Sequence, residues 1–202
     1  MSHHKQAAPG DRRRGFSVME LLFVLALFGI MAAIAIPMAQ PAVNGYQIAG
    51  QAHAVAYNVS LAKMQAASGF TRARLFIDLG GNSYRLERWN DAAGEWVAPD
   101  GATTLPGGVG FGYGSLADPP PDTQGTLGQA AACYDASNAA VTGTSCVLFN
   151  SRGVPIDHTG TPTPNDVVYL TDGRVIYAVA VSPAGLTQLW WTPTHQTAWQ
   201  KQ

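Results

Sequence analysis

Arg12-Arg13-Arg14-Gly15-Phe16-Ser17-Val18-Met19-Glu20-Leu21 opens an apolar run that ends at Pro37. From Leu21 to Ile36, sixteen residues follow one another without a polar side chain. Counted from Phe16 the stretch has twenty-one residues, roughly 31 Å of helix at ~1.5 Å per residue, enough to cross a bilayer core. Three arginines before the run predict a cytoplasmic N-terminus. A secretory signal peptide has a shorter apolar core, about 7–15 residues, with small residues at the cleavage site behind it. Here the run is longer, and Pro37-Met38-Ala39-Gln40-Pro41 follows it. A plain membrane anchor accounts for the length and the arginines but leaves Glu20 unexplained. A carboxylate in a membrane helix costs several kcal/mol unless paired, which marks Glu20 as a functional residue.

Gly15-Phe16-Ser17-Val18-Met19-Glu20-Leu21-Leu22 resembles the cleavage and methylation motif of type IV prepilins and type II secretion pseudopilins. Val18 stands where leucine is more usual, and Gly29 and Pro37 sit where that family often has a helix-loosening glycine and proline. The resemblance implies that a prepilin peptidase, a membrane aspartic peptidase, cuts between Gly15 and Phe16. It further implies N-methylation of the new Phe16 amine and a role for Glu20 in assembly with other pilin or pseudopilin subunits. The implied location is the inner membrane, crossed once, with the N-terminus cytoplasmic and the C-terminal head periplasmic, and afterwards a periplasmic or extracellular filament. Farther on, Cys146-Val147-Leu148-Phe149-Asn150-Ser151-Arg152-Gly153-Val154-Pro155 resembles a phenylalanine-to-glycine segment near the end of GspH/FimT-type minor pilins and pseudopilins.

Three segments follow: a leader over residues 1–15, a transmembrane and assembly helix over 16–68, and a β-rich head over 69–202. Past the membrane run, Ile48, Ala52, Val55, Val59, Ala62 and Ala66 recur at spacings of four and three, one apolar stripe of a surface helix. Pro37 and Pro41 each delete a backbone hydrogen bond, which predicts a kink or local opening there. Ser68-Gly69 ends the helix.

The head begins with alternating residues from Thr71 to Asp78, a turn at Gly80-Gly81-Asn82 and a return strand over Tyr84 to Trp89. Glu95 to Val97 extends this meander. The charges of Arg85, Glu87 and Arg88 read as a solvated face. Residues 98–145 are rich in Gly, Pro, Ser and Ala, and predict long surface loops apart from a strand at Val109 to Tyr113. Val167 to Leu170, Arg174 to Val181 and Leu186 to Thr192 predict three more strands. The expected fold class is α+β: a long N-terminal helix, transmembrane in one half and amphipathic in the other, on two small antiparallel sheets.

Twelve basic and thirteen acidic residues give a net charge of -1, unevenly placed. Without residues 1–15 there remain eight Lys/Arg against twelve Asp/Glu. That balance disfavours nucleic acid as a partner, since phosphate binding needs clustered cations. Cys133 and Cys146, the two cysteines, are too few for a structural zinc. Outside the cytoplasm they can pair as a disulfide, or they remain two buried thiols. A bond would close a ring worth about 3 kcal/mol through the unfolded chain. No nucleophile elbow, phosphate loop or His-Glu-x-x-His is present, so no catalytic residue, cofactor or metal is expected. The expected function is structural, a minor pilin or pseudopilin subunit of a type IV pilus or type II secretion filament. The competing reading is a filament-tip binding module for DNA uptake or adhesion.

Overall fold

Ile48, Ala52, Val55, Val59, Ala62 and Ala66, the stripe read from the sequence, are all fully buried. They lie on helix α1 (Val18–Ser68) of a computed structural model that describes residues 16–196 and 198–202. The chain divides into two compact units between Pro41 and Ala42. In the second unit the stripe joins one core with Leu75, Ile77, Val147, Phe149, Val168 and Val179. The alanines at three of the six stripe positions let backbone approach sheet closely, while Val and Ile fill the gaps between.

Helical residues continue through Pro37 and Pro41, where the sequence predicts local opening. Each proline removes one backbone hydrogen bond, and the helix runs on past both. The helix ends as a Schellman turn: Thr71 N–H donates to Ala66 O at 3.2 Å and Phe70 N–H to Ala67 O at 3.4 Å. The left-handed residue of that turn is Phe70, at φ 51°, not the neighbouring Gly69. Phe70 is also 86% exposed, so its ring contributes little packing against that strain. Phe70→Gly is therefore expected to stabilise the head by about 1 kcal/mol. Thermal unfolding of the full chain in detergent should show a melting point roughly 2–4 °C higher; an unchanged or lower one refutes the assignment of strain.

In chain order the strands are β1 (Ala73–Asp78), β2 (Ser83–Asn90), β3 (Glu95–Val97), β4 (Thr103–Thr104), β5 (Gly110–Phe111), β6 (Cys133–Tyr134) and β7 (Ala140–Val141). There follow β8 (Thr144–Phe149), β9 (Pro155–Ile156), β10 (Asp166–Thr171), β11 (Val175–Val181), β12 (Thr187–Pro193) and β13 (Gln200–Lys201). The first sheet runs β3-β2-β1-β8-β9, with β4 also on β2; the second runs β13-β12-β11-β10-β5; β6 and β7 form a separate hairpin. All pairings are antiparallel. The α+β class expected from the sequence is the class observed.

Residues 112–130 depart from the surface loop that composition predicts. Tyr113, Leu116 and Leu127 pack with Trp190 and Trp199 on a second core made by Val167, Tyr169, Ile176, Ala178 and Ala180. Gln129 stands in for a strand: its Nε2 donates to Tyr169 O at 3.0 Å and its Oε1 accepts from Tyr169 N at 2.9 Å. The Tyr169 hydroxyl donates to Gln124 Oε1, and Trp199 Nε1 donates to Asp118 O. A Gly/Pro-rich segment is here held by side chains satisfying buried backbone.

Candidate functional site

At the start of α1, Ser17 is the N-cap. Its Oγ accepts the Met19 N–H at 3.3 Å and its carbonyl accepts the Leu21 N–H at 3.1 Å. That places Glu20 at the third helical position, in the first turn. The Ser-x-x-Glu spacing is a capping-box pattern, a signal that a reading for membrane insertion alone passes over. Among the described residues the box itself is not closed: Ser17 Oγ caps the Met19 N–H rather than that of Glu20, and Glu20 makes no return bond. The Glu20 carboxylate is left available at the positive end of the helix, four positions from Phe16. Phe16 is 82% exposed. Gly15, on the other side of the expected cleavage point, lies outside the described residues, as does the rest of the segment 1–15 expected to be a leader.

Beyond this turn the helix shows an apolar surface on every side. Phe23, Leu25, Phe28, Ile30, Met31, Ile34 and Ile36 are all exposed. The segment is long and apolar enough to cross a membrane. A helix hydrophobic all round demands a membrane or partner helices to cover it.

In the head, of the charges expected on a solvated face, Glu87 is instead buried in a network with Arg74, Arg85 is part-exposed beside it and Arg88 is exposed. Arg74 and Glu87 are each 4% exposed. The Arg74 guanidinium donates to Glu87 Oε2 at 2.6 Å, and Arg85 Nε donates to Glu87 Oε1 at 2.7 Å. Alternation along β1 and β2 explains the error. Leu75, Ile77 and Leu86 join the core with α1, so Arg74, Phe76, Arg85 and Glu87 share the opposite face. On that face cations and rings interleave: Arg72 over Trp89 at 4.5 Å, Arg74 over Trp96 at 3.9 Å, Arg85 over Phe76 at 3.8 Å. Burial lowers the Arg74 pKa from its ordinary value, against the opposing pull of Glu87. Arg88 has the other parity and is exposed. The four basic residues of the first hairpin therefore do not converge on one patch.

Cys133 and Cys146 are joined by a disulfide, with Cα atoms 5.0 Å apart. It pins the β6–β7 hairpin over the cation–ring face, since Cys146 is paired in register with Phe76. Arg74 reinforces the attachment by donating to the Tyr134 carbonyl. Among the described residues no group of three or more His, Cys, Asp or Glu could hold a metal.

Residues 10–36 match the family described as the prokaryotic N-terminal methylation motif. No curated protein matches the chain in sequence. Among solved structures, the chain is similar to the minor pseudopilin EpsH from the type 2 secretion system of Vibrio cholerae. One structure shares 12% identity, covering 71% of this chain and 95% of that one, with a TM-score of 0.45. A second shares 14% identity, covering 71% and 91%, with a TM-score of 0.41.

Proposed function

We propose that this protein is a structural minor pilin or pseudopilin subunit of the GspH/FimT kind. The observation that carries the reading is the methylation motif over residues 10–36, continuous with a helix whose apolar surface is uncovered. In this reading residues 1–15 are a cytoplasmic leader, 16–68 the transmembrane and assembly helix, and 69–202 the periplasmic head. The single span lies in the inner membrane, where prepilin peptidase cuts between Gly15 and Phe16 and leaves the apolar run intact. The new Phe16 amine is methylated, and the subunit enters a filament through its helix. Glu20 offers its carboxylate to the Phe16 amine of the same or a neighbouring subunit, a charge-assisted bond in a dry bundle. The role needs no cofactor and no catalytic residue.

Capture of DNA by the head is the less favoured use of such a filament. Arg74 and Arg85 are spent on Glu87, and Lys63 donates to the Gly185 carbonyl at 2.9 Å. Too few free, clustered cations remain to neutralise a run of phosphates.

Coexpression with a prepilin peptidase tests the reading. The membrane fraction should yield an intact mass lacking residues 1–15 and carrying one methyl group at Phe16. Glycine suits the cut because the peptidase must approach backbone with no side chain in the way. An unprocessed N-terminus, or a cut anywhere after Pro37, would sink the pilin assignment.

A further inference from the structure

The head contains a cavity of about 340 Å³. It lies beside the cation–ring face, and its lining includes Arg72, Trp96, Leu148, Ile156, Asp157 and Asp166. Of these, Arg72, Asp157 and Asp166 have no counter-ion among the described residues, but Asp157 Oδ1 is satisfied by the Thr159 N–H and hydroxyl and the Thr161 N–H. Arg72 lies against Trp89 and Trp96, at 4.5 and 5.7 Å, and pairs with no carboxylate among the described residues. Asp166 is only 7% exposed and, among the described residues, pairs with no cation; one hydrogen bond reaches its carboxylate there, from Thr163 Oγ1 to Oδ2 at 2.8 Å. Burial raises its pKa above the ordinary carboxylate value, opposed by the Thr163 hydrogen bond and reinforced by the neighbouring Asp157. A buried carboxylate left in this way is costly unless something in the cavity donates to it.

We propose that this cavity binds a small zwitterion, an α-amino acid or dipeptide, its carboxylate on Arg72 and its ammonium on Asp166. One cation and one buried carboxylate line the same space without neutralising each other, and a ligand with both charges satisfies both. An inorganic anion such as phosphate would face Asp157 and Asp166; a simple amine would leave Arg72 unused. Trp96, Leu148 and Ile156 supply an apolar wall for a side chain, as small-ligand sites generally do. The volume stands near the lower end of the range for such sites, about 300–1,000 Å³, which suits one or two residues and no longer peptide.

The test is isothermal titration of the full chain in detergent micelles with glycyl-L-leucine, its N-acetyl form and its C-terminal amide. The free dipeptide should bind saturably at one site, and each capped form about tenfold or more weakly, as expected for loss of one charged hydrogen bond. Arg72→Ala should bring the acid and the amide to equal affinity. Asp166→Asn, which keeps the side-chain volume, should do the same for the free and acetylated amines. If a variant fails to fold, the comparison of capped and uncapped ligands on the unaltered protein still decides. No saturable binding of the dipeptide, or equal affinity for all three ligands, overturns the proposal.

Discussion

Glu87→Gln is expected to destabilise the head by about 3–5 kcal/mol, the cost of leaving a buried charge without its partner. Glutamine keeps the shape of the side chain and removes only the negative charge. Arg74, 4% exposed and wedged against Trp96, would then keep its cation with no carboxylate to offset its desolvation, only the Tyr134 carbonyl and the Trp96 ring. Burial lowers the Arg74 pKa, and the Glu87 carboxylate opposes that shift. Losing the carboxylate removes the opposition. Arg85 would lose its anchor as well, since Glu87 Oε1 accepts from it at 2.7 Å. For a chain of this size the melting point should fall by roughly 6–20 °C, read by far-ultraviolet circular dichroism on the full protein in detergent. A fall of less than about 2 °C would show that the pair is solvated after all. The double variant Arg74→Met/Glu87→Leu should recover most of the loss, because it removes both buried charges, leaves only the part-exposed Arg85 without its partner, and adds apolar contact with Phe76 and Trp96.

That network was not legible in the sequence, and the reason is physical. Arg85-Leu86-Glu87-Arg88 has the alternation of a strand with one wet face, and most such faces are wet. What buries this one is the β6–β7 hairpin, which arrives from some fifty residues away and is held by Cys133–Cys146 and by Arg74. Contacts of that separation leave no local trace. The same holds for residues 112–130, whose Gly/Pro content reads as loop while Gln129 and Tyr113 dock them on Tyr169. The α1 stripe, by contrast, was fully legible, because every one of its contacts is dictated by the 3.6-residue period. Most of the longer strands were too. At the N-terminus the sequence told of insertion and of the odd carboxylate, and the Ser17 cap adds that Glu20 sits in the first helical turn.

Glu20→Val is expected to insert into the membrane as well as the unaltered chain or better, and yet to be lost from filaments. Removing the carboxylate lowers the insertion cost by about 2–3 kcal/mol, so any defect cannot be blamed on delivery. In the proposed bundle the change deletes the acceptor for the Phe16 amine, a charge-assisted bond worth about 1.5–3 kcal/mol. Incorporation into sheared filaments should therefore drop roughly tenfold or more relative to membrane-bound subunit, measured by immunoblot of the two fractions. The first turn offers a rival explanation, because an acidic residue at the third helical position also helps to cap a helix. Glu20→Gln separates the two. Glutamine serves in a capping box, and the Ser17 Oγ bond to Met19 N–H is untouched by it, but it carries no charge for the amine. If the charge pairing directs assembly, Glu20→Gln fails as badly as Glu20→Val. Near-normal incorporation of the glutamine variant would assign Glu20 to helix capping, and normal incorporation of both would remove it from assembly altogether.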